Sequence, residues 1–477
     1  MSDGHWQTSR KIVERIVVCG ELVLETPACF GNGEGDSLTD MPLALDPLEG
    51  RALLTGTSIA GALRTYLRER EWGYRLDKKT DALHKTLFGR QEGDEGEQSW
   101  LITCDALSEQ GPRVELRDGI ALDPRTHTAE EKKKFDLELL EAGTRFPLRV
   151  ELLIPQDQRK ALLEGLAIAL QGLENGEIAL GARKRRGLGQ CRVTEWYVTR
   201  YDLTTMAGLL AWLNRTGTPQ TGPHIAGLLG VKAVLDRRES FTVEAAFGLD
   251  GSLLIRSGQG DADAPDMVHL QSRRNGQPAP ILSGTSLAGA LRARALRIAN
   301  TFNPQKARSL VDQLFGVRIY EDDEEGVKRE KKKRLNASRL TTTETEIGSP
   351  LNLVQSRVKI DRFTGGSFPT ALFSEQPVWG QKDTTITARI TVQQPTKAQI
   401  GLVLLLLKDL WTGDLPLGGG ISVGRGRLKG QRATLTYKRP DASQQWVITQ
   451  GSDQLSIVGD KGRLEQLVAV FVSEVRQ

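Results

Sequence analysis

The sequence contains little that would support a zinc centre, a disulfide framework or a membrane anchor. The longest purely apolar run, residues 402–407, is far shorter than the roughly 20 residues that cross a bilayer. The first residues lack the apolar core of a signal peptide. Five histidines show no metal-ligand spacing, and no CxxC pair occurs among the four scattered cysteines, Cys19, Cys29, Cys104 and Cys191. These absences predict a cytoplasmic protein.

The chain also has little excess charge. Its net charge of +4 on 477 residues means that nucleic-acid binding has to be argued from where the cations lie, not from their total. The length is comfortable for two domains of roughly 200 residues.

What the chain does have is a long internal repeat. The nonapeptide GTSIAGALR at 56–64 returns as GTSLAGALR at 284–292, 228 residues later. Three further matches follow in the same order: LFG at 87–89 and 314–316, IALDPRT at 120–126 and VKIDRFT at 358–364, and the pattern LG, five residues, GxG at 180–189 and 417–426. A period above 200 residues is too long for a solenoid, so the chain is predicted to be a tandem duplication of whole domains.

The repeat predicts the domain boundaries. We expect a first domain at 1–205, a connector at 206–236, a second domain at 237–435 and a C-terminal extension at 436–477 without an assigned role. In both copies a charged insertion follows the LFG element, as expected of a solvated loop.

Apolar periodicity predicts the same order of elements in both copies. In the first copy it predicts strands at 12–24, 100–104, 148–154 and 191–198 and helices at 57–70 and 156–172, with Thr57 or Ser58 as the first N-cap. The second copy repeats this order, with a helix at 397–411. The order β-α-β-β-α-β indicates an α+β protein of two ferredoxin-like (RRM-like) domains, the fold of RNA-recognition domains.

The repeated nonapeptide suggests a phosphate site at a helix N-terminus. Such a site combines unpaired N–H groups, hydroxyls and the positive end of the helix dipole. Gly61 and Gly289 cost about 1 kcal/mol each relative to alanine inside a helix, which suggests that a ligand approaches the backbone closely. The alternative is a plain capped helix packed tightly on its sheet. The predicted RNA contacts here are Gly56, Thr57, Ser58 and Arg64, with Gly284, Thr285, Ser286 and Arg292 in the second copy.

The glycine-rich element before the last strand is the second candidate. The first copy carries four consecutive cations, Arg183, Lys184, Arg185 and Arg186, and the second carries Arg425 and Arg427. Neither matches the phosphate loop of NTPases. Cations on a mobile glycine backbone suit a polyanionic strand. The alternative is a solvated basic turn.

The stretch before each nonapeptide holds the candidate catalytic residues, Asp40 and Asp266. Carboxylates on a loop beside an RNA groove can hold a divalent cation or position a 2′-hydroxyl. The alternative is that they cap turns, as expected for Asp46 before Pro47. His127 and His269 are candidate general bases, although a histidine in a polar loop commonly has no such role.

Taken together, these motifs resemble the RAMP superfamily of CRISPR proteins, and more narrowly the backbone subunits of type III effector complexes. The motifs that carry the resemblance are Asp-x-Pro, Gly-[Thr/Ser]-Ser-hydrophobic-x-Gly-x-Leu-Arg, Leu-Phe-Gly and a terminal Gly-rich loop. They keep their order over roughly residues 12–200 and 240–435. A chain with two such units is similar to the double-backbone subunit of type III-D variants.

The resemblance implies that the sheet and Gly-rich loops hold guide RNA and that a thumb-like insertion displaces bases. It also implies that a loop aspartate cleaves the paired target RNA with a divalent metal, Mg or Mn, leaving a cyclic phosphate. Asp40 fits the family's Asp-x-Pro-hydrophobic context, 16 residues ahead of Gly56. Asp266 lies 18 residues ahead of Gly284 without the proline. Threonine replaces the usual first serine, and Ala60 and Ala288 stand where the family often has lysine.

Two other functions stay open at this point. The chain could be a purely structural guide-RNA scaffold, or a nuclease that processes precursor guide RNA, using His127. The expected partners are guide RNA, complementary target RNA and other type III effector subunits, with no membrane.

Overall fold

The structure is a computed structural model, which describes residues 11–33, 39–74, 82–92, 95–123, 128–256, 265–274, 276–319, 336–452 and 454–476. It divides into two compact units. The first unit holds the described residues up to 114 together with 139–182 and 189–238, and the second holds 115–138, 183–188 and the described residues from 239 onward. Two segments of the first repeat, 115–138 and 183–188, therefore belong to the second unit.

The first repeat and the connector supply the following elements. The strands are β1 (Ile12–Leu24), β2 (Leu53–Leu54), β3 (Arg90–Glu92), β4 (Glu95–Glu97), β5 (Leu101–Thr103), β6 (Ala106–Leu107), β7 (Val114–Leu122), β8 (Ala129–Leu140), β9 (Arg145–Pro155), β10 (Cys191–Asp202) and β11 (Gln220–Gly222). The helices are α1 (Gly56–Trp72), α2 (Leu83–Phe88), α3 (Arg159–Glu174), α4 (Met206–Leu213) and α5 (Ile225–Leu229), with a 3₁₀ turn at Lys184–Arg186.

The second repeat and the C-terminal segment supply the rest. The strands are β12 (Ser240–Asp250), β13 (Ser252–Leu253), β14 (Met267–Val268), β15 (Gln271–Arg274), β16 (Gln277–Leu282), β17 (Leu340–Thr342), β18 (Thr345–Gly348), β19 (Leu351–Asn352), β20 (Gln355–Ile360), β21 (Ser367–Gln376), β22 (Val378–Trp379), β23 (Thr385–Gln393), β24 (Arg427–Arg439), β25 (Ala442–Gln450) and β26 (Leu455–Val458). The helices are α6 (Gly284–Phe302), α7 (Pro304–Phe315), α8 (Lys397–Trp411) and α9 (Lys461–Arg476), with a 3₁₀ turn at Ile421–Val423.

The main sheet of the first unit has the ferredoxin-like strand order. Its strands run β10-β1-β9-β5, so the fourth, first, third and second strands of the β-α-β-β-α-β series lie side by side and antiparallel. Ile16 and Leu22 of β1 pack with Leu63 of α1 and Leu166 of α3 in one core. The predicted fold is therefore confirmed for this repeat.

The second unit repeats this order as β24-β12-β23, followed by β17 and β18. Phe241 and Val243 of β12 share a core with Leu287 of α6 and Ile400 of α8. The tandem arrangement of two ferredoxin-like domains is thus confirmed as well.

The segments outside the predicted domains are parts of the units. In the connector, β11 pairs with β10, and Ile225 and Leu229 of α5 join the first core. In the C-terminal extension, β25 and β26 continue the second sheet beyond β24, and Leu467 and Phe471 of α9 are buried in the second core. Within the part of the chain that the structure describes, none of the helices has both the length and the apolar character needed to span a bilayer.

Each repeat also carries a long antiparallel hairpin between its second and third main strands. It is β7–β8 in the first repeat and β20–β21 in the second. The described part of the first repeated motif, residues 120–123, lies at the end of β7, and the VKIDRFT motif begins in β20, so both mark the insertion that the resemblance predicts as a thumb.

The helix N-cap differs from the prediction. The hydroxyl of Thr55 accepts a hydrogen bond from the Ser58 N–H, so the helix begins at Gly56 and Thr57 lies inside it. Ser283 has the same place before Gly284. The sequence allowed either assignment because threonine and serine occupy both sides of the glycine.

We expect Gly401→Ala to destabilise the second unit by about 1–3 kcal/mol. Gly401 lies on α8, where an added Cβ would be 2.3 Å from the carbonyl oxygen of Leu467 on α9. Urea denaturation measures the effect. The control is Gly289→Ala, whose Cβ meets no atom within 4 Å and which should leave stability equal or raise it by up to about 1 kcal/mol. Equal destabilisation by both changes would contradict the close packing of α9.

Candidate nucleic-acid interface

The two candidate aspartates occupy equivalent places in equivalent loops. In the first repeat the Ala44 N–H donates to the Phe30 carbonyl at 2.7 Å, and in the second the Leu270 N–H donates to the Ile255 carbonyl at 2.7 Å. Isolated bridges follow the same correspondence, joining Gly31 to Leu43 and Arg256 to His269. Asp40 and Asp266 each lie three residues before the bridged residue of their loop. The missing proline has therefore not moved Asp266 out of this position.

Both aspartates are exposed to solvent. Asp266 is also held by hydrogen bonds from the β20–β21 hairpin. Its carboxylate accepts hydrogen bonds from the backbone N–H of Ser374, at 2.7 Å, and from the Ser374 hydroxyl, at 3.1 Å. These bonds lower the pKa of Asp266 below its usual value. The side chain is therefore ionised at neutral pH and acts as an acceptor.

The Gly-rich loops have the same backbone in both repeats despite different side chains. Each contains a 3₁₀ turn that begins after a left-handed residue, Arg183 (φ 54°) or Gly420 (φ 74°), and ends at a left-handed glycine, Gly187 or Gly424. The turn residues are Lys184–Arg186 in the first repeat and Ile421–Val423 in the second. The cationic character of the first loop is thus absent from the corresponding turn of the second.

The Gly-rich loop and the aspartate loop are attached to neighbouring residues after the first strand. The Gly419 N–H donates to the Leu254 carbonyl at 2.7 Å, next to Ile255, which holds the aspartate loop. In the first repeat the Ala182 N–H donates to the Cys29 carbonyl at 2.9 Å, next to Phe30. In the second unit the structure therefore brings the Asp266 loop and a complete Gly-rich loop together.

The first repeat is different, because its cations lie in the other unit. Asp40, Gly56, Thr57, Ser58 and Arg64 belong to the first unit, whereas Arg183, Lys184, Arg185 and Arg186 belong to the second. There the backbone of the cationic turn lies against the head of helix α6, since a Cβ on Gly284 would be 2.1 Å from the Arg186 carbonyl oxygen. The structure therefore places the Gly-rich loop of the first repeat beside the first helix of the second repeat.

The cations of this turn and Arg292 of helix α6 repel one another. Burial, the neighbouring Arg292 and then Arg183 lower the pKa of the Arg186 guanidinium. Lys184 is exposed beside them. An anion bound here would offset this repulsion, which gives the site a physical preference for phosphate.

At the N-terminus of each helix, backbone N–H groups have acceptors within the chain, and the outer face of the helix is exposed. The Gly56 N–H donates to the Asp105 carboxylate at 2.6 Å, so this donor has an acceptor within the chain. Thr57, Ser58 and Gly61 lie exposed on the same helix, and in α6 Thr285 is exposed and Ser286 half-buried. Among the described residues, and apart from the helix's own backbone, no atom lies within 4 Å of a Cβ added at Gly61 or Gly289. Packing between the described elements therefore does not require these two glycines.

Arg64 and Arg292, which were predicted to contact RNA, each fasten the Leu-Phe-Gly element of their own repeat, and Arg64 is also exposed. The Arg64 guanidinium donates to the Gly89 carbonyl at 3.2 Å, and that of Arg292 donates to the Gly316 carbonyl at 2.8 Å. Arg292 also pairs with Asp312. This bond explains why the two motifs recur together, because the last residue of one fastens the turn of the other.

The two predicted cations of the second Gly-rich loop have different surroundings. Arg425 is 3% exposed and donates to the Glu375 carboxylate at 2.6 Å. It therefore fastens the loop to the β20–β21 hairpin and is not an accessible RNA contact. Arg427, at the start of β24, is exposed.

Of the two candidate general bases, the structure describes only His269, which holds the aspartate loop from a buried position. His269 is buried, with Nδ1 accepting from the Ile255 N–H at 3.2 Å and Nε2 donating to the Ile281 carbonyl at 3.0 Å. Burial lowers the pKa of His269 to about 4. It is therefore neutral and holds the aspartate loop in place. His127 lies outside the described residues.

No group of three His, Cys, Asp or Glu side chains that could hold a metal ion occurs among the residues the structure describes. Each aspartate could supply only one ligand. Mg²⁺ commonly binds through one or two carboxylates, with water and substrate phosphates completing the shell. The residues present therefore fit a divalent ion only if RNA and water provide the other ligands.

Sequence reasoning missed a buried ion-pair network in the second unit. Arg117 of the first hairpin pairs with Glu344, which also pairs with Arg274 at 2.7 Å. Arg117 pairs with Glu115 at 2.9 Å as well. A comparison of the two repeats could have found it. Glu115 and Arg117 are charged, whereas the corresponding residues of the second copy, Leu353 and Gln355, are not.

Comparison with known proteins gives one family. A family model described as the RAMP superfamily matches residues 21–192 and 252–429, which together are more than half of the chain. A search of curated proteins finds no match.

Replacing Ser374 by alanine should raise the pKa of Asp266 part of the way towards its usual value. The change removes the hydroxyl donor but leaves the backbone N–H in place. A ¹³C-carboxyl titration measures the shift, with Asp266→Asn identifying the signal. Ser422→Ala, in the neighbouring Gly-rich loop, is the control and should leave the titration unchanged. An unchanged midpoint in Ser374→Ala would show that the hydroxyl does not stabilise the carboxylate.

Proposed function

The chain belongs to the RAMP superfamily and is therefore a CRISPR-associated RNA-binding subunit, and on that basis we propose that it is a backbone subunit of a type III effector complex. In this proposal both repeats lie along guide RNA, and Asp40 and Asp266 cleave the complementary target RNA. The observation that carries the proposal is the equivalence of the two aspartate loops, each held by a hydrogen bond to the stretch that follows the first strand of its repeat.

Guide-RNA binding is assigned first to the cationic turn beside helix α6. Lys184 and Arg186 present positive charge there, and the pKa of Arg186 is lowered by burial and by the neighbouring arginines. A phosphate would relieve that repulsion. The exposed stripe at Thr285 and Gly289 continues the same surface along the helix, and the bare glycine lets a sugar–phosphate backbone approach closely.

Cleavage is assigned to the loop aspartates acting on the target strand. An ionised carboxylate accepts a hydrogen bond from a 2′-hydroxyl and orients its oxygen towards the adjacent phosphorus. The 2′-oxygen bonds to phosphorus as its proton leaves to the carboxylate. The bond from phosphorus to the 5′-oxygen breaks, and the leaving oxygen takes a proton from water. The products are a 2′,3′-cyclic phosphate and a 5′-hydroxyl.

A divalent ion, Mg²⁺ or Mn²⁺, is part of the proposal. When bound, it would neutralise charge on the reacting phosphate. Asp40 and Asp266 would each supply one ligand. The chain's own contribution is to hold each carboxylate in place, which in the second repeat is done by the two hydrogen bonds from Ser374.

We expect Asp40→Asn and Asp266→Asn each to remove one set of cuts in a complementary target, lowering the rate at those positions on the order of 10²-fold or more. Guide-RNA binding should be unchanged, since one exposed carboxylate is neutralised without loss of volume. Mapping the cut positions with the assembled complex measures the loss of cleavage, and the guide-RNA content of the same complex measures binding.

Asp46→Asn is the matched control. Asp46 lies in the same loop as Asp40, but its carboxylate accepts the Leu48 and Glu49 N–H groups of a turn. All cuts should persist in this variant. If they also persist in both Asp40→Asn and Asp266→Asn, the chain is a guide-RNA scaffold and cleavage takes place elsewhere in the complex.

The double change Lys184→Gln with Arg186→Gln should weaken guide-RNA binding and flatten its salt dependence. Each phosphate that the variant no longer neutralises reduces the slope of log K against log salt by about 0.7 on single-stranded RNA. A salt series of binding measurements gives the slope. The control replaces Lys461 and Arg463 by glutamine, on helix α9 at the C-terminus, and should leave the slope unchanged. Identical slopes in all three proteins would refute the assignment of the cationic turn.

A further inference from the structure

The connector contains a helix whose apolar side chains are exposed. Helix α4 (Met206–Leu213) has the sequence MAGLLAWL, and none of its residues is buried. The exposed fraction is 72% for Met206, 49% for Leu210 and 59% for Leu213. These three residues have the spacing i, i+4, i+7, which places them on one face of the helix. We call this face the outer face of α4.

The other side of the helix packs on the open side of the first sheet. The guanidinium of Arg15 on β1 lies 4.3 Å from the ring centre of Trp212. Just after the helix, a Cβ on Gly217 would be 2.4 Å from the methyl group of Thr199 on β10. Val17, which is paired with Thr199, is buried there. The connector therefore covers part of this sheet and leaves the outer face of α4 in solvent.

The second repeat has no helix at this place. Its last main strand, β24, ends at Arg439, and β25 begins at Ala442. On the corresponding side of the second sheet, Thr242 lies directly opposite Thr391 and Thr436, and the hydroxyls of Thr242 and Thr391 are hydrogen-bonded at 3.2 Å. This side is polar, as expected of a solvated sheet face. The outer face of α4 is thus a feature of the first repeat alone and is not required by the fold.

Hydrogen bonds at both ends hold α4 in its helical form. At the start, the Thr205 hydroxyl accepts from the Gly208 N–H at 3.1 Å. At the end, the Thr216 N–H donates to the Ala211 carbonyl at 2.9 Å around Arg215, which is left-handed (φ 54°). A helix that is ordered before it binds loses little conformational entropy on binding. The outer face is therefore preorganised for a partner.

The segment around the helix carries almost no charge. Residues 203–223 contain one charged side chain, Arg215, in a chain of which 26% of the residues are charged. Arg215 is exposed directly after the helix. A helix that faces water normally carries polar and charged residues on its outer face. A surface complementary to α4 is therefore apolar, with an acidic group only where it meets Arg215.

The small size of the outer face indicates what kind of surface covers it. Pairing with the outer face of α4 in a second copy would bury only three side chains from each chain, whereas a standard interface takes about 20–30 residues a side. In contrast, anchors at i, i+4 and i+7 are the pattern by which one helix fills an apolar groove of another protein. A groove also surrounds the helix and contacts its flanks. The spacing and the area therefore favour a groove over a second α4.

We propose that helix α4 docks into an apolar groove of a different protein. Met206, Leu210 and Leu213 are the anchors, and an acidic side chain of the partner lies against Arg215. The inference goes beyond RNA binding and holds whether or not the aspartates cleave RNA, since it depends only on the connector and the first sheet.

Photo-crosslinking in the native ribonucleoprotein is the first test. Leu210 and, in a second variant, Leu213 are replaced by p-benzoylphenylalanine, the complex is purified through a tag on this chain, and crosslinked peptides are identified by mass spectrometry. Both positions should crosslink to the same protein, at apolar residues. The control places p-benzoylphenylalanine at Leu455 on β26, which is exposed to the same 49% as Leu210 and should not crosslink to that protein.

Substitution of the anchors is the second test. Leu210→Gln with Leu213→Gln should lower the amount of the crosslinked protein in the purified complex about tenfold or more, because each lost anchor weakens binding. Arg215→Glu should lower it as well, and more strongly at low salt, because it opposes an acidic group. Leu455→Gln with Val458→Gln is the control and should leave the amount unchanged. Urea denaturation checks that all variants keep the fold.

The proposal is overturned if both crosslinking positions give only a second copy of this chain, the same chain, RNA or no product. It is also overturned if the double glutamine variant retains the crosslinked protein at the original level. An unchanged amount in Arg215→Glu at every salt concentration would refute the acidic contact. Guide-RNA content and target cleavage, measured on the same preparations, test the proposed function separately and should be unchanged in these variants.

Discussion

Each repeat depends on a short stretch of backbone just after its first strand. In the second repeat, the carbonyl of Leu254 accepts from the Gly-rich loop and that of Ile255 accepts from the aspartate loop. Cys29 and Phe30 do the same in the first. Because adjacent carbonyls point to opposite sides of an extended chain, the two hydrogen bonds leave this stretch on opposite sides. The aspartate is therefore positioned by main-chain bonds that tolerate changes of side chain, and the loss of proline before residue 269 leaves its place unaltered.

A second constraint is the buried carboxylate of Glu344 with its two arginines. Burying an unpaired charge is costly, and the two arginines in hydrogen-bonding contact with Glu344 offset part of that cost. Arg117 comes from the first repeat and Arg274 from the second, yet both lie in one compact unit. The cationic turn lies in the same unit, with its backbone against helix α6. The first repeat thus supplies part of the surface that we propose binds RNA at the second.

The two copies have kept their backbone and changed their chemistry. Left-handed positions at Gly187 and Gly424 maintain the Gly-rich loop, since glycine adopts this conformation without steric cost. Between them, lysine and arginine in one copy correspond to isoleucine and valine in the other. Duplication has therefore kept one loop backbone while one copy carries cations in the turn and the other carries apolar side chains.

The sequence by itself determined the duplication, the ferredoxin-like order of elements and the location of the candidate aspartates. These follow from local patterns, namely repeated motifs, apolar periodicity and glycines at fixed spacing. The helix at 397–411 and the strand at 12–24 were predicted with the bounds that the structure has, because their apolar periodicity is strong.

Only the tertiary structure decided which charged side chains are available and which repeat each segment joins. In the sequence, three arginines are simply cations within a motif: Arg64, Arg292 and Arg425. Their partners are distant in sequence, so only the folded chain shows that they fasten loops and turns. The assignment of residues 115–138 and 183–188 to the second unit is a long-range effect of the same kind. Sequence periodicity reports which face of an element is buried and carries no information on which domain buries it.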